Sequence, residues 1–205
     1  MENICVSAII LSAGQSRRMG QSKMNLAWGQ TTVLGQVVKT LDRAAISDIL
    51  IVTGSIPLAI FDQQFRAEIR YTPNVGSETA DMLGSIQSGL QYLLADRTVS
   101  CKRAALVALG DMPEIPLEVV NSVIEAWKVR GASIIVPSYQ MRRGHPWLVD
   151  QSLWQEILSL AYPLTMRNFL NKHTQEIEYV VSNHPGILVD IDTPEDYQRN
   201  RPENR

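Results

Sequence analysis

Residues 8–23 read AIILSAGQSRRMGQSK, and this stretch guides the interpretation of the rest of the chain. A β-branched apolar run, typical of a buried strand, leads straight into a turn of small residues around Gly14. Two arginines, a second glycine and a lysine follow. Small side chains let backbone N–H groups approach an anion, and the basic residues add positive charge. The stretch therefore favours a phosphate-binding loop after a first strand, while a plain turn with solvated basic residues is the alternative.

The rest of the chain alternates short apolar runs with longer amphipathic segments, which predicts strands and helices in turn. The predicted strands are 6–11, 48–54, 69–74, 103–110, 132–137 and 186–192. The predicted helices are 31–45, 81–96, 116–131, 151–160, 164–173 and 193–200. Repeated strand–helix pairs, with strands that are apolar throughout, indicate an α/β fold in which helices cover both faces of a mostly parallel, doubly wound sheet. We expect one three-layer αβα domain over residues 1–205, with 198–205 as a frayed tail.

The composition excludes several classes of protein. The chain has 205 residues, of which 45% are hydrophobic and 20% charged, and its net charge is -2, so we expect a globular core and no nucleic-acid partner. No apolar run approaches the roughly 18 residues of a membrane span, and no signal peptide is evident. We therefore expect a cytoplasmic protein that does not enter a membrane. Cys5 and Cys101 lie in or beside apolar runs and are interpreted as buried free thiols.

Acidic residues follow two of the predicted strands, where ligands gather in a parallel sheet. Asp111 stands in GDMP, residues 110–113, and suits a Mg²⁺ ion, although it could instead cap the helix that begins near Pro116. Asp190 and Asp192 stand in DIDTPED, residues 190–196, and would share one face if the strand continued. A plain helix start is the alternative for this second motif.

The loop LSAGQSRRMGQSK, residues 11–23, resembles the signature L-x-[AG]-G-x-S-x-R-M-G-x-x-K of nucleotidyltransferases with a MobA-like fold. The resemblance implies a Rossmann-like fold of the nucleotide-diphospho-sugar transferase type. It also implies that the loop wraps a nucleoside triphosphate, with Arg18 and Lys23 as catalytic cations. The nucleotide-binding residues that it implies are Leu11, Ser12, Ala13, Gly14, Ser16, Arg18, Lys23, Asn74, Ser85, Gly110 and Asp111.

The same resemblance extends to the acidic motifs and to a segment on the acceptor side. It implies that Asp111 is catalytic and binds the metal together with Asp190 or Asp192, of which Asp190 is slightly favoured although the sequence does not separate the two. The metal is expected to be Mg²⁺, with Mn²⁺ as an alternative. Residues 141–150, MRRGHPWLVD, resemble the R-x-G-H-P-x-L-[FV] stretch of the cytidylyltransferase branch.

Three residues are expected to contact the acceptor: Arg143, His145 and Arg167. For His145, a purely structural role is the alternative. Arg167 is assigned because PLTMRNFLNKH, residues 163–173, resembles the G-A-R-x-L-L region of the family, in which Arg167 matches the arginine.

The implied reaction moves a nucleoside monophosphate from an NTP, with CTP favoured, to a phosphorylated acceptor and releases pyrophosphate. The implied acceptor is a molybdopterin-type molybdenum cofactor, and a molybdoenzyme or its chaperone is a candidate partner. The alternatives are GTP as donor, a sugar or alcohol phosphate as acceptor, or a catalytically idle carrier that binds a nucleotide or pterin. A nicotinamide or flavin oxidoreductase is disfavoured, because the first strand is not followed by G-x-G-x-x-G.

Overall fold

The structure is a computed structural model that describes residues 4–14, 22–54, 65–74, 82–96 and 101–202. Its strands are β1 (Ile4–Ser12), β2 (Ala27–Trp28), β3 (Thr31–Thr32), β4 (Asp48–Thr53), β5 (Glu68–Pro73), β6 (Lys102–Leu109), β7 (Ile134–Tyr139), β8 (Arg142–Arg143), β9 (Trp147–Asp150) and β10 (Ile177–Val181). Its α-helices are α1 (Val33–Arg43), α2 (Met82–Ala95), α3 (Leu117–Arg130), α4 (Trp154–Ser159), α5 (Met166–Lys172) and α6 (Pro194–Asn200). Short 3-10 helices cover Lys23–Asn25, Gln151–Leu153, Thr174–Glu176 and Pro185–Leu188.

The main sheet is mixed and mostly parallel, which confirms the predicted fold class. Seven strands lie in the order β10-β7-β9-β6-β1-β4-β5, and β8 pairs with β7. Strand β1 is central and runs parallel to both β4 and β6. Strand β9 runs antiparallel to β6 and β7. The chain adds strands on both sides of β1, and the carboxyl ends of β1 and β6 meet at one edge of the sheet.

Helices cover both faces of the sheet because successive side chains of each central strand point to opposite faces. Ala8 and Ile10 of β1 pack in one cluster with side chains of α1 and α3. Ile9 and Leu11 pack in the opposite cluster with side chains of α2, α4 and α5. These apolar layers bury β1 from Ser7 to Ser12, so a polar ligand can approach this half of the strand only at its carboxyl end.

The segment 186–192 was predicted as a strand, and this prediction is wrong. Pro185 begins a 3-10 helix instead, and the residues after Leu188 belong to no strand. The backbone of this segment bonds to loops rather than to a strand: Ile187 accepts from the amide of His145 at 3.0 Å, and the amide of Ile191 donates to Asp111 at 2.9 Å. The apolar residues of this segment indicate burial, since Ile187 and Ile191 are fully buried. They do not indicate β-structure.

Strands β9 and β10 occupy sheet positions that the sequence did not predict. Strand β9 is only four residues long and lies between β7 and β6, and β10 pairs with the other side of β7 and forms the edge of the sheet. The β-branched and aromatic residues of IEYVV in β10 are a readable strand signal, although Ile177 is its one buried residue. The helices 82–95, 117–130 and 166–172 agree with prediction to within two residues at each end.

The interpretation of both cysteines as free thiols is also wrong. Cys5 and Cys101 form a disulfide with a Cα–Cα distance of 6.1 Å. The pairing of β1 with β6 brings them together, since Cys5 is in register with Arg103 and Cys101 directly precedes β6. Sequence spacing could not reveal this, because the two residues are 96 positions apart.

Two further expectations concern the surface of the chain. Within the described ranges, no helix has both the length and the apolar composition needed to span a bilayer. In the predicted tail, residues 198–200 form the last turn of α6, and the amide of Arg201 bonds to Tyr197 at 2.9 Å. Residues 203–205 lie outside the described part of the chain.

Candidate active site

The predicted nucleotide-binding residues of β1 lie beside the end of β6. The amide of Gly110 donates to the carbonyl of Leu11 at 3.0 Å, which extends the pairing of the two strands by one residue. Ser12 and Ala13 are buried, and Gly14 is exposed at the mouth of the site. A Cβ on Gly110 would collide with Oγ of Ser12, so this close approach requires glycine. The structure thus brings Leu11, Ser12 and Gly110 together.

Lys23 lies at the centre of the acidic residues. Its Nζ is 2.6 Å from Oδ2 of Asp111 and 2.6 Å from Oδ1 of Asp192. Only 9% of the Lys23 side chain is exposed, so the ammonium group is held inside the site rather than in solvent. Burial disfavours its charged form, but the charges and hydrogen bonds of Asp111 and Asp192 outweigh this and raise the pKa of Lys23. The side chain is therefore a permanent cation at neutral pH.

The acidic motif at 190–196 is attached directly to the end of β6 through the bond from Ile191 to Asp111. The helix start that competed with a metal-binding role for Asp192 is made by other residues. Thr193 caps α6, and its side chain and that of Asp196 bond each other's backbone amides in a capping box. Asp192 itself precedes the cap and bonds Lys23 at 2.6 Å.

Asp190 is exposed at the edge of this group, two residues before Asp192. Partial burial of its carboxyl, followed by the negative charges of Asp192 and Asp111, raises its pKa. Negative charge is therefore in excess here even with Lys23 present. The capping alternative for Asp111 is wrong, because the first residue outside α3 is Pro116, which makes no side-chain cap.

Asp111 offers a suitable ligand atom to a divalent cation. Oδ1 of Asp111 is buried and has no hydrogen-bond partner among the described residues, so it is an unsatisfied hard oxygen of the kind that Mg²⁺ takes. No three His, Cys, Asp or Glu side chains in the described ranges are grouped closely enough to hold a metal by themselves. One or two carboxylates are sufficient where substrate phosphates and water complete the coordination. The residues therefore fit a metal that binds together with a phosphate ligand.

Two other predicted nucleotide-binding residues, Asn74 and Ser85, are in contact with each other. Nδ2 of Asn74 donates to Oγ of Ser85 at 3.1 Å, and Oγ of Ser88 donates to Oδ1 of Asn74 at 3.3 Å. The amide of Asn74 bonds Thr53 at 2.9 Å, so Asn74 directly follows the sheet edge formed by β4 and β5. This arrangement joins the start of α2 to the same carboxyl edge of the sheet that carries Asp111.

The three predicted acceptor residues have different environments. Arg143 lies on β8, where its Nε donates to the hydroxyl of Tyr179 at 2.8 Å and its Nη1 to Oδ1 of Asn171 at 3.1 Å. Arg167 is exposed on α5. His145 is half-buried with its Nδ1 enclosed, and this burial lowers its pKa to about 4 against the opposing effects of the Val107 backbone and Asp111. The imidazole is therefore neutral at physiological pH.

Several expectations fall outside the described residues. Arg18 and Ser16 belong to the stretch 15–21. Their predicted roles stay predictions.

Two residues that orient Arg143 were not expected from the sequence. Tyr179 and Asn171 each bond the Arg143 guanidinium, which also lies 5.8 Å from the centroid of the Tyr179 ring. Tyr179 could have been found from the strand pattern of β10. Asn171 carries no signal of its own, because its position beside β8 depends on how α5 packs.

Comparison with known proteins places these features in a family. Residues 8–177 match the family of the MobA-like NTP transferase domain. Molybdenum cofactor cytidylyltransferase of Escherichia coli is 28% identical over 94% of this chain and 93% of its own length. Molybdenum cofactor guanylyltransferase of Mesorhizobium japonicum is 31% identical over 91% of this chain and 83% of its own. Nicotine blue oxidoreductase of Paenarthrobacter nicotinovorans is 25% identical over 95% and 96%.

Two solved structures share the fold at lower identity. A nucleotidyl transferase from Methanothermobacter thermautotroptrophicus superposes with a TM-score of 0.72 at 19% identity and covers 96% of both chains. A Mycobacterium tuberculosis protein, solved as a complex with manganese, has a TM-score of 0.70 at 19% identity and covers 95% of this chain and 96% of its own.

Proposed function

The chain belongs to the MobA-like NTP transferase family and is a nucleotidyltransferase, and from this premise we propose that it cytidylylates a molybdopterin-type molybdenum cofactor with CTP. The observation that carries the proposal is the grouping of Lys23, Asp111 and Asp192 at the end of β6, since it combines a buried cation with carboxylates. Such a group suits a triphosphate together with a divalent metal. The preference for CTP rests on the LSAG, GDMP, GHP and DIDTPED stretches, which resemble the cytidylyltransferase branch more than the guanylyltransferase branch.

In this reaction an oxygen of the acceptor phosphate attacks the α-phosphorus of CTP. The new P–O bond joins the acceptor to CMP, and the bond between the α-phosphorus and the bridging oxygen breaks with its electron pair leaving on pyrophosphate. The attacking phosphate is already an anion, so no protein nucleophile or base is required. Catalysis then consists of positioning and charge stabilisation.

The residues of the chain divide this work between the two reactants. Lys23 neutralises negative charge on the departing phosphates, with Arg18 predicted to act beside it. Asp111, with Asp192 or Asp190, would hold Mg²⁺ or Mn²⁺. When bound, this ion supplies Lewis-acid charge to the phosphate oxygens. The manganese complex of the related fold supports a divalent ion of this kind.

The acceptor would approach from the side of β8. Arg143 is already oriented by Tyr179 and Asn171, and a fixed guanidinium suits two-point contact with a phosphate. His145 lies in the same stretch and is neutral, so it contributes shape and hydrogen bonding rather than charge. Arg167 provides a further exposed cation on α5.

The test is pyrophosphate release in the presence of Mg²⁺ with CTP, GTP, ATP or UTP, each with and without molybdopterin-bound molybdenum cofactor. Release that requires both CTP and the cofactor supports the proposal. Release with GTP, or with a sugar or alcohol phosphate as acceptor, keeps the transferase chemistry and replaces the substrate. Oxidation of a reduced nicotinamide cofactor is followed in parallel, because one relative is named as an oxidoreductase.

A further inference from the structure

We propose that Lys23 is an internal counter-ion that fills the metal position between Asp111 and Asp192 and that must leave it when a divalent cation binds. The ammonium group and the cation then compete for the same two carboxylates. The proposal rests on the proposed function, because it assumes a divalent cation at Asp111. It adds that the site has two states, one with the Lys23 ammonium between the carboxylates and one with the divalent cation there. Lys23 moves when the site changes from one state to the other.

The distances exclude simultaneous occupation of this position. Nζ of Lys23 lies 2.6 Å from one oxygen of Asp111 and 2.6 Å from one oxygen of Asp192, so it fills the space between the carboxylates. Mg²⁺ bound by both carboxylates would lie about 2.0–2.1 Å from its oxygens and would need that same space. Two cations cannot share it, so binding of the metal between these carboxylates displaces Nζ.

The charges explain why a counter-ion is needed when no cation is bound. The carboxylates of Asp111 and Asp192 both lie 2.6 Å from the same Nζ, and Asp190 stands two residues before Asp192, so several acidic groups are concentrated here. The side chain of Asp111 is only 15% exposed, which limits the screening that water can provide. The Lys23 ammonium reduces the repulsion and holds the loop of Asp192 against β6.

Displacement of Lys23 has a consequence for the nucleotide. After Lys23 leaves the two carboxylates, its ammonium group requires another anionic partner. The triphosphate that binds with the metal can provide it. Lys23 has a flexible four-carbon stem and can turn from the carboxylates to the phosphates. The nucleotide therefore lowers the cost of releasing Lys23 and tightens binding of the metal, and the reciprocal effect must be equal in size.

The experiment measures Mn²⁺ binding by calorimetry in the absence of nucleotide. It compares the wild type with Lys23→Met, which removes the charge and keeps the length of the side chain. Lys172→Met is the matched control, because Lys172 also pairs with a carboxylate, Glu156 at 2.8 Å, but is 69% exposed. We expect Lys23→Met to bind Mn²⁺ about tenfold more tightly than the wild type, within the usual range of coupling between sites. Lys172→Met should match the wild type.

The same titration is then repeated with a non-hydrolysable CTP analogue. The analogue should tighten Mn²⁺ binding more in the wild type than in Lys23→Met, because only the wild type must relocate an ammonium group. Mn²⁺ affinity that is equal or weaker in Lys23→Met overturns the inference. If that equal binding is abolished by Asp111→Asn, the metal part of the proposed function survives. If neither the wild type nor Lys23→Met binds Mn²⁺, this inference and the metal part of the proposed function are both overturned.

A second measurement covers the case in which Lys23→Met does not fold. Crystals of the wild type are soaked in Mn²⁺, and the position of Nζ is compared with the metal-free crystal. We expect Nζ beyond ion-pair distance of at least one of Asp111 and Asp192 when Mn²⁺ is bound at Asp111. An unchanged Nζ beside both carboxylates contradicts the inference.

Discussion

The backbone amide of Ile191 donates a hydrogen bond to the carbonyl oxygen of Asp111 at 2.9 Å. This bond joins the acidic segment near the C-terminus to the end of strand β6, although the two are far apart in sequence. Ile191 is fully buried against Trp28 and Val33, so the segment is held by packing as well as by its backbone. The relative positions of Asp111, Asp190 and Asp192 are therefore a property of the folded core.

We expect Asp111→Asn to lower the rate of pyrophosphate release by at least about a hundredfold, because Lewis-acid stabilisation by a bound metal contributes several kcal/mol to such reactions. The fold should persist, since the amide keeps the size of the carboxylate and the backbone bond to Ile191 is unaffected. Steady-state kinetics and circular dichroism measure the two effects. Glu125→Gln, an exposed carboxylate of α3, is the control. Turnover at the wild-type rate would show that Asp111 is not a metal ligand.

Gly186→Ala should disturb the site from a distance. A Cβ at Gly186 would overlap the backbone carbonyl of Glu114, which cannot move aside as a side chain can. The 3-10 helix that begins at Pro185 must then shift, and it leads directly to Asp190. Overpacking of this kind costs about 1–3 kcal/mol. We expect lower stability in urea and a lower kcat.

Gly131→Ala is the matched control for this change. Gly131 ends α3 with a φ of 65°, and its Cβ position is open, so only the left-handed conformation opposes alanine. It should lose about 1 kcal/mol of stability without any effect on kcat. Equal kinetic effects in both variants would show that Gly186 does not position the acidic segment.

The burial of His145 predicts a loss of stability in acid. Burial lowers its pKa to about 4, so the unfolded chain binds a proton more readily than the folded one between pH 6.5 and 4. The free energy of unfolding should fall by on the order of 3 kcal/mol as the pH drops through this window. Urea unfolding of the wild type and His145→Asn at several pH values measures it. A pH dependence that is identical in the variant would contradict the prediction.

His173 should behave in the opposite way. Burial disfavours its charge, but hydrogen bonds to Glu156 and Glu176, at 2.9 Å and 2.8 Å, outweigh this and raise its pKa. The contribution of His173 to the free energy of unfolding is therefore fully present below pH 6.5 and is lost as the pH rises through the raised pKa. His173→Gln should destabilise the fold by about 1.5 kcal/mol at pH 6, the lower end for a charged hydrogen bond, and by less at pH 9.

The exposed His184 provides the control for this measurement. His184→Gln should change the unfolding free energy little at either pH, since surface substitutions away from such networks stay within about 0.5 kcal/mol. An effect of His173→Gln that is the same at pH 6 and pH 9 would mean that the imidazole is neutral in the fold.

The fold class could be predicted from the sequence because its signals are local. A run such as ALVAL at 105–109 is apolar on both faces and reads as a central strand, and it is completely buried in β6 apart from its last residue. The amphipathic helices were predicted for the same reason. The secondary-structure predictions that are wrong concern segments in which tertiary contacts outweigh local preference. The apolar segment 186–192 is one of them, because it bonds to loops instead of joining the sheet.

The residues that are chemically suited to the site could be identified from residue type and spacing: a small, basic loop from Leu11 to Lys23, a carboxylate after β6, and the acidic pair at 190 and 192. Their pairing follows from the folded arrangement alone. It placed the Lys23 ammonium between Asp111 and Asp192, joined Cys5 to Cys101, and set Tyr179 against Arg143. The physical reason is that residue type and spacing report burial and backbone preference, whereas an ion pair depends on distances that exist only after the sheet is assembled.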